Sequence, residues 1–257
     1  MIRNLYFILL FNVALSQVRI GEFKSLSSYL NIHDIELSKD FLLYVSNSGF
    51  VEYDYKEKFN NAISVDQGLT INELNEIHID VKGNYWIGSN KGIMVWNKID
   101  KKLEAEFEIG IEKLTGFVDF NNLIYASVKL DGEWGLVEFI YIDDKVYYRD
   151  FYKRSDINDI SKIIAFNDNI YIISSNKILS GNPFKEYITY WENPFFNIDD
   201  DIIDLSSDEN SLFILTKNAI YQLHSDNSTS VFFEKNISLG SIKRLSASNN
   251  NLFAISD

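Results

Sequence analysis

The 257-residue chain carries 24 basic and 37 acidic residues, a formal net charge of −13, with 46% hydrophobic residues, 15% aromatic residues and no cysteine. That charge disfavours nucleic-acid and anionic-lipid partners, and the apolar content argues against disorder. The missing cysteine excludes disulfides, thiolate metal sites and a lipid-modified N-terminal Cys.

At the N-terminus Arg3 precedes the apolar run Leu5–Phe11, and Ala14-Leu15-Ser16 places small residues at both ends of a cleavage triplet. This is the pattern of a signal peptide over residues 1–16, leaving Gln17 as the first mature residue. The run is shorter than the roughly 20 apolar residues of a membrane span; a buried N-terminal strand is the alternative. The mature chain is expected to be exported from a bacterium: periplasmic, cell-surface or secreted. The segment Glu22–Leu26 reads as an outer strand.

A short phrase then recurs: a turn, an apolar run, and a Ser or Thr. It ends at Ser46, Ser89, Ser127, Ser174, Thr216 and Ser256, at intervals of 43, 38, 47, 42 and 40 residues. Several short strands per period of about 40–45 residues is the spacing of β-propeller blades. Glycine (12) and proline (2) are sparse, so Asn and Asp are expected to carry the turns.

In chain order, blade one runs through Ile35, Tyr44 and Gly49–Tyr53 to Ile63–Val65. Blade two is clearest, with Glu76–Asp80, the turn Lys82–Asn84, Tyr85–Gly88 and Ile93–Trp96. It ends in the outer strand Glu104–Glu108, whose charges alternate as a solvated edge requires. Blade three takes Phe117-Val118, Tyr125, Gly135–Phe139 and Val146–Tyr148. Blade four takes Ile163–Ala165, Tyr171, Ile178-Leu179 and an outer strand at Ile188–Trp191. Blade five takes Ile203–Leu205, Phe213, Ile220-Tyr221 and Val231–Phe233.

The expected fold is therefore all-β: a β-propeller of four-stranded antiparallel blades, five complete and a sixth partial. The blades lie near residues 32–66, 74–109, 112–152, 158–192, 200–235 and 240–257, within one domain over 17–257. The sixth stops at Asp257 after its second strand. An open ring exposes unpaired edges, so the natural chain is expected to continue; a six-bladed ring closed imperfectly is the alternative.

The stretch Gly68-Leu69, Asp80, Gly83-Asn84, Trp86-Ile87-Gly88-Ser89 and Gly92-Ile93 resembles the two-component-regulator propeller repeat in its order and spacing. Ser89 stands where that family favours Thr. Gly49 and Gly135 keep the closing glycine; later blades keep only the apolar phrase and the Asn turn. The layout from Phe23 to Gly68-Leu69 is similar to that of PorZ-type propeller proteins of the type IX secretion system. The resemblance implies an exported, non-enzymatic interaction module that binds protein or glycan in a secretion apparatus. It equally admits a ligand-sensing periplasmic ectodomain of a hybrid two-component histidine kinase.

No motif specifies catalysis, and no cofactor is expected. His33, His78 and His224 fall in different blades, without metal-ligand spacing. Blade-equivalent inner-strand positions show no cluster of acids, bases or ligands. Asp199-Asp200-Asp201 could offer oxygens to Ca²⁺ but lacks the EF-hand order; a solvated loop is the competing reading. Blade three carries a five-residue insertion that includes Asp131, Glu133 and Trp134. It is either a partner-contact loop or a tolerated loop whose Trp packs on a neighbouring blade.

Overall fold

The computed structural model describes residues 29–195, 198–234, 241–248 and 251–256; the expected signal peptide and the segment 22–26 lie outside them. Among the described residues there is no α-helix, and hence no helix long and apolar enough to cross a membrane.

Among the described residues six antiparallel sheets follow one another along the chain. The first holds β1 (Ile32–Leu37), β2 (Phe41–Ser46), β3 (Gly49–Asp54) and β4 (Phe59–Ile63). The second holds β5 (Leu74–Ile79), β6 (Tyr85–Ser89), β7 (Ile93–Asn97) and β8 (Lys102–Phe107). The third holds β9 (Ile111–Phe120), β10 (Leu123–Leu130), β11 (Glu133–Ile142) and β12 (Lys145–Lys153). The fourth has β13 (Lys162–Phe166), β14 (Asn169–Ser174) and β15 (Lys177–Gly181). The fifth has β16 (Ile202–Ser207), β17 (Ser211–Thr216), β18 (Ala219–His224) and β19 (Thr229–Glu234). The sixth pairs β20 (Ile242–Ser248) with β21 (Asn251–Ser256). Strands within each sheet pair in chain order, and the first strands of successive sheets lie side by side.

Each gap between neighbouring sheets is filled by its own apolar cluster. Phe50, Tyr85 and Trp96 fill the first gap, Trp86 and Phe139 the second, and Trp134 and Trp191 the third. Tyr171 and Leu205 lie in the fourth and Phe213 and Leu245 in the fifth. Aromatic rings suit this geometry because a wedge between twisted sheets needs wide, flat fillers.

In the first, second and fifth sheets the recurrent Ser or Thr has a local task. Ser46 Oγ accepts the Ser48 N–H at 3.2 Å and donates to Gly49 O at 3.2 Å. Ser89 repeats this with Lys91 and Gly92, and Thr216 with Asn218 and Ala219. One hydroxyl thus closes the turn between second and third strands. Asn and Asp carry other hairpins: Asn121-Asn122, Asp131-Gly132 and Asp143-Asp144 each hold two successive positive φ angles, the requirement of a type I′ turn.

The fourth sheet departs from the expected four strands. The outer strand expected at Ile188–Trp191 is instead a 3-10 turn, Ile188–Tyr190, and only a bridge from Ser180 to Glu192 continues the sheet. The closing residue constrains the other outer strands. A Cβ on Gly49, Gly92 or Gly135 would lie 2.1, 2.6 or 2.2 Å from a fourth-strand carbonyl oxygen, so those strands need a bare backbone there. The requirement is not general, since Ala219 pairs with Glu234 in the fifth sheet despite its Cβ. The insertion of blade three is likewise not a loop. It lengthens β10 and β11 to 8 and 10 residues, joined by the Asp131-Gly132 turn.

Candidate functional site

Two rows of side chains run across the first strands. Asp34, Glu76, Phe117, Lys162, Asp204 and Arg244 occupy matching register positions, opposite Val45, Gly88, Ala126, Ile173, Leu215 and Ile255. Two residues on, Glu36, His78, Asp119, Ile164, Ser206 and Ser246 form the second row. The residue between the rows is apolar in every sheet, from Ile35 to Leu245, as alternation along a strand demands.

These rows tie sheets together. A first strand is a sheet edge, and its outward N–H groups need acceptors. Asp34 Oδ2 accepts the Ile77 N–H at 3.0 Å, and Asp204 Oδ2 accepts the Leu245 N–H at 2.8 Å. Ser206 Oγ accepts the Ala247 N–H at 2.7 Å. Each bond runs from one sheet to the next.

His78 joins three sheets. Its Nε2 lies 2.7 Å from Asp119 Oδ2, and its Nδ1 lies 3.7 Å from Glu36 Oε1. The ring lies nearly parallel to Phe117, with centroids 6.5 Å apart. Burial opposes the imidazolium, but the Asp119 bond and the Glu36 charge outweigh it and raise the pKa. Glu36 is raised by burial, against the pull of His78. Glu76 is pushed up to about 8, by burial first and then by Asp34, while Lys162 and Arg244 oppose the shift.

This cluster corrects the sequence expectation that inner-strand positions bring no acids and bases together. The signal was present as Asp34-Ile35-Glu36 and Glu76-Ile77-His78, polar–apolar–polar triplets one repeat apart. Bulges after Ile32, Leu74, Ile202 and Ile242 obscure the register. His33 and His224 lie elsewhere, against Asn47 and Ser230.

Asp80, from the blade-two phrase, is buried and organises its turn. Its Oδ1 accepts the N–H groups of Lys82 and Asn84 at 2.9 and 2.8 Å. Its Oδ2 accepts the Trp86 indole N–H at 2.9 Å and the Tyr141 hydroxyl of the third sheet.

Of the residues that the sequence singles out, Trp134 is buried in the gap between third and fourth sheets. Asp131 is exposed at the hairpin tip, and Glu133 pairs with Lys153. Asp200 accepts the N–H groups of Asn218 and Asp201, both at 3.0 Å. Among the described residues no three His, Asp or Glu side chains are placed to hold a metal ion.

No protein-family model matches the chain, and no curated protein matches it in sequence. Solved structures do. The extracellular domain of BT4673, assigned to a one-component system of B. thetaiotaomicron, superposes with a TM-score of 0.63 at 15% identity over 88% of this chain. PorZ, an essential surface component of the type-IX secretion system of Porphyromonas gingivalis, gives 0.61 at 14% over 90%. The extracellular domain of BT3049, assigned to a hybrid two-component system of B. thetaiotaomicron, gives 0.58 at 16% over 93%. The chain spans 32%, 31% and 34% of their lengths. Both kinds of protein that the blade-two phrase and the N-terminal layout resemble are therefore among its structural neighbours. With its successive antiparallel sheets and first strands side by side, the chain has the β-propeller fold.

Proposed function

We propose that the chain is an exported, non-enzymatic propeller module of a bacterial envelope, a component of a type IX-like secretion apparatus that docks a protein or glycan partner. The likeness in fold to PorZ over 90% of this chain carries the reading. The inner-strand geometry supports it: Glu36, His78 and Asp119 are engaged with one another, and Asp34 and Asp204 with backbone. Side chains so committed hold sheets together and are poorly placed for acid–base turnover. The contact surface includes the tip of the long third-sheet hairpin, with Asp131 and Glu133 beside the buried Trp134.

A second reading is a ligand-sensing ectodomain of a two-component kinase, favoured by the likeness to BT3049 over 93% of this chain. Deleting the gene in its source bacterium separates the two. Loss of surface delivery of exported proteins supports the secretion role, and loss of a transcriptional response with delivery intact supports sensing. No change in either contradicts both.

A further inference from the structure

Antiparallel sheets with their first strands side by side put every first-to-second and third-to-fourth strand turn on one face of the propeller. In the first two sheets these turns are residues 38–40, 55–58, 80–84 and 98–101. Contacts bring neighbouring turns together there. The Tyr55 N–H donates to Asp40 O at 3.1 Å, and Lys98 Nζ lies 3.3 Å from the centroid of the Phe41 ring.

Turns are ordinarily polar, yet here Ile99 is 88% and Val81 73% exposed, with Leu37, Tyr55 and Phe59 exposed at the ends of the flanking strands. The same turns carry Lys39, Lys58, Lys98 and Lys101, none of which forms an ion pair among the described residues. Asp40 and Asp100 are paired with Lys56 and Lys102 at 2.7 and 3.0 Å, and Asp80 is buried. Glu57 is the one exposed carboxylate of these turns outside an ion pair.

Projecting apolar tips among lysines suit a lipid surface better than a protein one. Lysine is depleted from protein interfaces where arginine is enriched, and these turns hold no arginine. At a bilayer the lysine stem lies along apolar surface while its ammonium reaches the headgroups. The net charge of −13 opposes an anionic surface at long range, but salt screens exposed charges beyond about 10 Å, so the lysines nearest the surface decide. On the same face the third sheet carries Asp143 and Asp144, and the fifth Asp208, Glu209 and Asp226. The molecule therefore tilts, its first two sheets toward the lipid.

We propose that this patch docks the propeller on an anionic lipid surface, with Ile99 and Val81 entering the headgroup layer and the lysines on lipid phosphates. The patch alone carries this, independently of the secretion or sensing role. The full chain is sedimented with vesicles of phosphatidylglycerol and phosphatidylethanolamine, and with phosphatidylcholine vesicles as the neutral control. Binding to the anionic vesicles that weakens with added salt is expected. Lys39→Gln with Lys58→Gln and Lys101→Gln should weaken it at least about tenfold, as should Ile99→Ser with Val81→Ser. Lys177→Gln with Lys217→Gln, on turns of the opposite face, should leave it unchanged. No binding to anionic vesicles, equal binding to neutral ones, or binding unchanged in both patch variants with folded circular dichroism spectra overturns the proposal.

Discussion

Glu76 is an acid whose environment favours its proton. Its pKa is pushed up to about 8 from 4.5, so its contribution to folding stability is full below about 4.5 and is lost as pH rises through about 8. His78 acts in the same direction from 6.5 upward, since its pKa is also raised. Glu76→Gln removes the ionisation and should raise stability at pH 8.5 by about 2 kcal/mol, or about 4–8 °C in Tm, with little change at pH 5. Thermal unfolding across that range checks it. Asp80→Ala should cost about 3–5 kcal/mol in denaturant unfolding, because it strands two backbone N–H groups, an indole N–H and a hydroxyl in a buried place. Asp80 is legible as part of a repeat phrase, but its hold on Tyr141 of the next sheet is not, since no local pattern encodes a contact 61 residues away.

Among the elements, the strands of the first three sheets are legible because turn and apolar run alternate cleanly there. The fourth sheet reads wrongly from sequence: Ile188 and Trp191 look like strand residues, yet a 3-10 turn delivers both to the core. Arg154 Nη1 fastens that turn by donating to Trp191 O at 2.5 Å. Periodicity cannot separate a short apolar strand from a turn that buries the same residues. The closing glycine gives a test at this scale. Gly49→Ala should destabilise by about 3 kcal/mol, since φ is +144° and the new Cβ would meet Ile63 O at 2.1 Å. At the hairpin tip, Gly132→Ala meets no neighbouring atom and strains only φ, +80°, so it should cost about 1 kcal/mol. Equal costs in equilibrium unfolding would rule out close approach as the reason for the closing glycine.

For the whole molecule, the repeat period discloses the architecture and the fold comparison supports it, but the function of a propeller resides in surfaces that the period does not describe. Blade packing is readable from apolar positions; the inner-strand rows depend on how sheets are placed, which a single sequence leaves implicit. Both the secretion and the sensing reading of this propeller require it to work outside the cytoplasm. Fractionating the source bacterium and sequencing the N-terminus of the recovered protein tests that requirement at its root. An envelope or secreted protein beginning at Gln17 is expected; a cytoplasmic protein that retains residues 1–16 would contradict it.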